Sequence, residues 1–336
     1  MYRKKRASCF LFILFLALTA AFSGCEKKKE PETPEPSSKI VVGFSQVGAE
    51  SDWRDANTKS MKSALSEENG FDLLFRDGQQ KQANQIKAIR IFIQEEADYI
   101  VLAPVTETGW DTVLEEAKQA GIPVIIMDRM VDVHDDSLFT CRVGSDFERE
   151  GREAGEWLAR YLEEKGREEE EINLVTLQGT PGSTAQIGRT EGFAGVLSQH
   201  PNWHMLAIEN GEYTQSKGRE AMERLLKEYP DIDVLVSEND NMTFGAIEAM
   251  TSAGRSFGPE GDIIVLSFDA VQAAFDAMQE GEINADFECN PLHGPRVMEI
   301  IRDLEAGKEV DKIQYVEETY FDTSMNLEEI RKTREY

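Results

Sequence analysis

PVIIMD at 123–128 and IIVLSFD at 263–269 are two short apolar segments, and each ends in an aspartate. Neither alternates polar with apolar residues, so each predicts a strand that is buried on both faces. Such strands belong to parallel sheets covered by helices on each side. Because the same strand end recurs about half a chain later, the sequence predicts two similar halves.

Working outward from these segments, apolar stretches alternate with amphipathic ones along most of the chain. Further strands are predicted at 40–44, 71–75, 99–103, 172–177, 204–209 and 233–238. Helices are predicted at 53–69, 80–96, 108–120, 183–198, 216–229 and 242–253. Gly70, Gly121 and Gly254 stand where a helix end favours a left-handed residue. The predicted fold class is α/β, with two Rossmann-like, doubly wound lobes.

The N-terminus carries an export signal. Residues 3–6 read RKKR, an apolar segment spans 7–22, and Ser23-Gly24-Cys25 follows. This resembles a bacterial lipoprotein signal, so we predict a signal peptide at 1–24 and a lipid anchor on Cys25. The alternative is an uncleaved anchor, although the apolar segment is short for a bilayer span. The protein is then attached to the membrane on the extracytoplasmic face. Prolines and charges at 25–38 predict an extended tether.

The net charge excludes one class of partner. The 336-residue chain has a formal charge of −27. Removing the first 24 residues leaves 32 basic against 63 acidic residues, a net charge of −31. Phosphate backbones repel such a surface, so we expect no nucleic-acid partner.

Two cysteines, Cys141 and Cys289, remain in the folded body. Two cysteines do not make a disulfide framework. Because buried free cysteine is a common apolar filler, we predict that both are free thiols.

Polar and aromatic residues follow the predicted strands. In open parallel sheets, ligands bind beyond the carboxyl ends of the strands. The candidate binding residues there are Trp53, Arg54, Asp128, Arg129, Arg189, Tyr213, Asn239 and Asp269. Carboxylate, amide and guanidinium groups hold sugar hydroxyls in paired hydrogen bonds, and aromatic rings cover C–H faces. Each residue taken alone is as compatible with a helix cap, a turn or a solvated charge.

Enzyme chemistry has little support in the sequence. Nucleophile-elbow, phosphate-loop and zinc-protease motifs are missing, and the four histidines lack ligand spacing, so we predict no cofactor and no metal. Asp128 and Asp269 could serve a glycosidase as a carboxylate pair. We expect neighbouring arginines to keep both ionised, which removes the general acid.

Several segments carry a family resemblance. They are GFSQVGAESDWR (43–54), FRDGQQKQANQIKAIR (75–90), APVTETGWDTVLEEAKQAGIPVIIMDR (103–129) and ENDNMTFGAIEAM (238–250). The chain resembles the sugar-binding proteins of ATP-driven (ABC) sugar importers of the ribose and galactose type, most closely those for galactofuranose. The resemblance runs from about 40 to about 322. Sugar-responsive repressors share this fold but begin with a DNA-binding domain, and here a lipoprotein signal stands in that place.

The resemblance implies a type I periplasmic binding protein with three segments crossing between the lobes. The first lobe would comprise 39–145 plus 290–318, and the second 146–289 plus 319–336. It also implies that the candidate residues above contact the sugar. Where ribose binders have a ligand-contacting glutamine in the second crossing, this chain has Cys289.

The expected function is therefore capture of a monosaccharide, galactofuranose or a related sugar. The protein would act as a monomer that delivers the sugar to an ABC-type permease. Two alternatives remain at this point, a sugar sensor for a membrane receptor and a glycosidase.

Overall fold

Two six-stranded sheets flanked by helices form the part of the chain that the computed structural model describes, residues 39–336. The predicted signal peptide at 1–24, Cys25 and the tether at 25–38 lie outside the described residues. The α/β fold with two lobes is confirmed.

The first lobe is built mainly from the first third of the chain. Its strands are β1 Ile40–Gln46, β2 Phe71–Asp77, β3 Tyr99–Leu102, β4 Val124–Met127 and β5 Cys141–Gly144. The helices between them are α1 Asp52–Ala64, α2 Gln82–Gln94 and α3 Asp111–Gln119. With the later strand β11 Ile313–Tyr315, the sheet order is β11-β5-β4-β3-β1-β2, and every pair is parallel. Parallel pairing needs crossovers, and the helices provide them.

The second lobe repeats this plan. Its strands are β6 Ile172–Gln178, β7 Trp203–Asn210, β8 Val234–Ser237, β9 Ile264–Asp269, β10 Ala285–Glu288 and β12 Tyr320–Asp322. The remaining helices are α4 Phe147–Glu164, α5 Thr184–Leu197, α6 Gln215–Glu228, α7 Asp240–Ser252, α8 Gln272–Gln279, α9 Gly294–Glu305 and α10 Leu327–Thr333. The sheet order is β12-β10-β9-β8-β6-β7, and only β12 is antiparallel to its neighbour.

The strands are apolar because both sheet faces are covered. All four residues of β3 and of β4 are buried. Helix α9 follows a strand of the second sheet, yet its Val297, Ile300 and Ile301 pack with Met61 and Leu65 in the core of the first. The chain therefore returns to the first lobe after β10.

The chain changes sheets in three segments, namely 145–146, 289–293 and 316–319. We call these the first, second and third crossings. Because packing partners change there, we propose that the lobe boundaries fall inside these crossings.

Some elements differ from the sequence prediction. The helix predicted at 53–69 ends at Ala64, and a short 3₁₀ turn at Glu67–Asn69 follows. Strands β5, β10, β11 and β12 and helices α4, α8, α9 and α10 were not predicted. Charged residues interrupt the four-residue strands β5 and β10, and β11 and β12 have three residues each. The left-handed conformations of Gly70, Gly121 and Gly254 are confirmed, with φ of 87°, 75° and 69°.

Both body cysteines are free and buried, as predicted. Over residues 39–336, no helix combines the length and apolarity that crossing a bilayer requires.

Candidate functional site

A cavity with about 290 Å³ of empty space lies at the carboxyl ends of the strands of both sheets. All of the predicted site residues line it, together with Glu50, Ser51, Phe147, Ala185 and Cys289. The structure thus brings together residues that are up to 216 positions apart, from Trp53 to Asp269. Each predicted residue is at most 5% exposed.

On the first-lobe side, Arg54 joins two acidic groups. Its Nη1 lies 2.8 Å from Asp128 Oδ2, and its Nε donates to Glu50 Oε1 at 3.0 Å. Arg129 donates through Nη1 to the carbonyl oxygen of Val105 at 3.0 Å, and its Nη2 lies 3.7 Å from Glu50 Oε1. Two guanidinium groups and two carboxylates therefore alternate along this wall.

On the second-lobe side, Arg189 of α5 makes the corresponding network. Its Nε donates to Glu150 Oε2 at 2.7 Å, and its Nη2 donates to Asp269 Oδ1 at 3.3 Å. Its Nη1 also donates to the carbonyl oxygen of Glu238. A planar guanidinium with several fixed acceptors keeps one orientation, so Arg189 is pre-organised toward the cavity.

The two strand-end aspartates share an unusual backbone conformation. Asp128 has φ of 64° and Asp269 has φ of 108°. Non-glycine residues adopt positive φ at a cost, and such residues cluster at ligand sites. Arg142 donates two hydrogen bonds, at 2.7 and 3.1 Å, to the carbonyl oxygen of Asp128 and fixes this turn.

The surroundings shift the pKa values of these two aspartates in opposite directions. Burial by itself would raise the pKa of Asp128, but Arg54 and Arg129 outweigh it and hold the pKa below its usual value. For Asp269, burial prevails over Arg189 and raises the pKa well above its usual value. The neighbouring carboxyl groups of Asp240 and Glu150 add to the effect of burial, so Arg189 offsets the shift at Asp269 only in part.

Two aromatic rings complete the walls. The guanidinium carbon of Arg54 lies 4.6 Å from the Trp53 ring centre, and that of Arg129 lies 5.2 Å from the ring of Tyr213. Tyr213 fits only because residue 179 is glycine, since a Cβ atom there would lie 1.8 Å from its Cζ. The sequence therefore builds a flat face on either side of the cavity.

Asn239 has a structural role as well as a place in the cavity wall. Its Oδ1 accepts a hydrogen bond from the Met242 amide at 3.0 Å and so caps helix α7. Its Nδ2 donates to the carbonyl oxygen of Tyr213 at 3.3 Å. Each group of the amide makes one hydrogen bond within the protein, which leaves one N–H and one oxygen lone pair for a ligand.

Glu50 is the main site residue that the sequence analysis did not select. Its side chain is 2% exposed, and its Oε2 has no hydrogen-bond partner among residues 39–336. Arg129 Nε is buried and also lacks a hydrogen-bond partner in the described part of the chain. Leaving buried polar atoms unsatisfied costs about 1–3 kcal/mol each, so the cavity is suited to a ligand rich in hydroxyl groups. The sequence signal that could have identified Glu50 is its position, four residues before Arg54.

Two lobes with parallel sheets, three crossings and a polar cavity at their strand ends define a two-lobed solute-binding protein. Residues 42–291 match the family model described as "Periplasmic binding protein domain". The chain is 40% identical over 299 residues to the galactofuranose-binding protein YtfQ of Escherichia coli, which covers 88% of this chain and 92% of the relative.

Solved structures give the same assignment. A Mycobacterium smegmatis protein in complex with β-D-fucofuranose is 42% identical, with a TM-score of 0.84 over 88% of this chain and 95% of that one. The periplasmic binding protein of the arabinose ABC transporter from Shewanella sp. ANA-3, bound to α- and β-L-arabinofuranose, is 40% identical, with a TM-score of 0.82 and the same coverage. The chain belongs to the periplasmic binding protein family, whose place is outside the cytoplasm. It is a binding protein and not an enzyme.

Proposed function

We propose that the protein captures one monosaccharide in furanose form, galactofuranose or a related sugar, and delivers it to an ABC-type permease. The observation that carries this proposal is the cavity wall, where Glu50, Arg54, Asp128 and Arg129 alternate in charge. Within residues 39–336, Glu50 Oε2 and Arg129 Nε have no hydrogen-bond partner. A sugar hydroxyl both donates and accepts, so it satisfies a carboxylate and a guanidinium at once.

Residues from both lobes line the cavity, so one bound sugar would touch both. Trp53 and Tyr213 would cover the apolar face of the ring, while the second-lobe residues Arg189, Asn239 and Asp269 would reach its other hydroxyls. A ligand that touches both lobes stabilises their closed arrangement, which is the form a permease can distinguish.

The furanose assignment rests on similarity together with the cavity. The relatives described above are named for galactofuranose, or are bound to fucofuranose and arabinofuranose. A five-membered ring with an exocyclic chain spreads its hydroxyls around a wide arc, which matches donors and acceptors on opposite walls.

Attachment and assembly belong to the same proposal. We infer that Cys25 carries the lipid anchor and that residues 25–38 tether the lobes to the membrane. We also infer that the protein acts as a monomer. Anchoring the binding protein in the same membrane would raise its effective concentration at the permease.

Calorimetry with ring-locked sugars tests the ligand. A 5-deoxy-L-arabinose can close only through O4, giving a furanose, and a 4-deoxy-L-arabinose can close only through O5, giving a pyranose. We expect saturable binding of the furanose-locked sugar and at least tenfold weaker binding of the other. A thermal-shift screen supports the measurement, since a ligand at 100 times its Kd adds about 2.7 kcal/mol.

Two results would contradict the proposal. Preferential binding of the pyranose-locked sugar would reject the ring form while leaving sugar capture intact. Equal affinities of wild type and Asp128→Asn would show that the charged wall around Asp128 does not bind the ligand.

A further inference from the structure

A second group of side chains lies where the three crossings meet. We call it the hinge cluster and define it as Glu150, Cys289 and Glu318. The sulfur of Cys289, a carboxylate oxygen of Glu150 and a carboxylate oxygen of Glu318 all lie within 4.8 Å of one another. Cys289 belongs to the second crossing and Glu318 to the third, while Glu150 lies near the start of α4, just after the first.

Within residues 39–336, the hydrogen-bonding capacity of the hinge cluster is not fully used. Glu150 Oε2 is held by Arg189 at 2.7 Å, but its other oxygen, Oε1, is buried and has no hydrogen-bond partner in residues 39–336. The Glu150 side chain is 4% exposed. A carboxylate oxygen that is buried without a partner is costly, so the arrangement points to a group that would complete it.

The donor atoms select a type of ligand. Two carboxyl oxygens and one cysteine sulfur match the mixed ligand sets of Zn²⁺, which accepts sulfur and oxygen in tetrahedral geometry and displaces the thiol proton on binding. Calcium and magnesium need more oxygen ligands than this cluster offers. Three protein ligands leave the fourth tetrahedral position for water.

Neighbouring groups are placed to orient these ligands. The hydroxyl of Ser145 lies 3.2 Å from Cys289 Sγ and donates to Glu318 Oε1 at 2.5 Å. The Asn290 amide donates to the same oxygen at 2.8 Å. Outer-shell partners of this kind fix the orientation of metal ligands in many sites. The positive charge of Arg189 is balanced by Asp269 as well as by Glu150.

We propose that the hinge cluster binds a thiophilic divalent cation, with Zn²⁺ as the best match. Cys289 also lines the cavity between the lobes, which gives the ion a path to the cluster when the lobes separate. Bound there, the ion would connect the second and third crossings to α4. The sequence offered no motif for this site because its ligands come from three separate segments.

Metal titration of the full chain tests the proposal without any sugar. Zn²⁺ affinity is measured by competition with a chromogenic chelator, and Cd²⁺ is added to detect thiolate coordination by its ultraviolet charge-transfer absorption. We expect Cys289→Ser to lose one equivalent of this absorption and to bind Zn²⁺ at least tenfold more weakly. Glu318→Gln should weaken Zn²⁺ binding to a similar degree while keeping the absorption.

Cys141→Ser is the matched control, because Cys141 is also a buried free thiol but lies in β5 outside the cluster. It should bind both metals as wild type does. Identical titrations of wild type and Cys289→Ser would overturn the proposal. Circular dichroism verifies that each variant is folded. If Cys289→Ser does not fold, two other results would overturn the proposal. One is the absence of cadmium–thiolate absorption in the wild type, and the other is an unchanged Zn²⁺ affinity in Glu318→Gln.

Discussion

The indole Nε1 of Trp53 donates a 2.6 Å hydrogen bond to the carbonyl oxygen of Cys289, 236 residues further along the chain. Trp53 lies in α1 of the first lobe, and Cys289 opens the second crossing. The edge of His293 also faces the Trp53 ring, with 5.9 Å between ring centres. The aromatic wall of the cavity is therefore held in place by the crossing that follows the second lobe.

Substitution of Trp53 separates its ring from its hydrogen bond. Trp53→Ala removes the apolar face and should weaken sugar binding by roughly 1–3 kcal/mol. Trp53→Phe keeps a smaller ring and loses the bond to Cys289, so its affinity loss should be smaller than that of Trp53→Ala. Calorimetry with the furanose-locked sugar measures both. Unchanged affinity in Trp53→Ala would make Trp53 a packing residue alone.

Asp128→Asn tests the charge at the end of β4. Asparagine tolerates the positive φ of this position, so the backbone should be retained. The variant loses the 2.8 Å ion pair with Arg54 and the charge-assisted bonds to the sugar. The Kd should therefore rise tenfold or more, on the usual ~1.5–3 kcal/mol for such bonds. Normal affinity combined with a much lower melting temperature would instead assign Asp128 a structural role.

Arg189→Met should be far more destabilising than the same change at an exposed arginine. Arg189 is 3% exposed and pairs with Glu150 and Asp269, so its loss strands two buried acids at a cost of about 3 kcal/mol or more. The control is Arg219→Met, whose side chain is 45% exposed and pairs with Glu223 and Glu248. Exposed pairs contribute about 0–1 kcal/mol. Urea unfolding gives both values, and similar losses in the two variants would contradict the argument.

Asp286 should make the free energy of unfolding of the protein depend on pH. Its Oδ1 accepts a hydrogen bond from the Ala270 amide at 3.2 Å, and burial raises its pKa to about 7. The pKa of an aspartate in the unfolded chain is about 3.9. At pH values between this pKa and the folded-state pKa, the folded protein therefore holds one more proton than the unfolded chain. This contribution to stability is complete below about pH 4 and is lost as the pH rises through 7.

Asp286→Asn cannot titrate and provides the comparison. The free energy of unfolding of wild type should fall relative to the variant as the pH rises from 4 to 8. Chemical denaturation at a series of pH values, with a chelator present, measures the difference. Parallel pH profiles for the two proteins would show that Asp286 does not titrate in this range.

Much of the fold was predictable from local pattern. Strand β4 is apolar along its whole length and β9 along most of it, because helices cover both faces of the sheets, so both stand out in the sequence. The short strands β11 and β12 carry no such pattern. Their pairing partners, β5 and β10, lie far away in the chain, and no local signal reports them.

The sequence by itself determined which residues stand at the carboxyl ends of the strands, where they line the cavity. The first polar residue after a buried strand marks its carboxyl end, and Asp128 and Asp269 were found in this way. Tertiary structure alone decided how these residues are paired and charged. Glu50 lies close to Arg129, and Glu150 contacts Arg189, only because folding brings together segments that are far apart in the sequence. Desolvation depends on every neighbour in space, so Asp128 and Asp269, alike in sequence, have pKa values shifted in opposite directions.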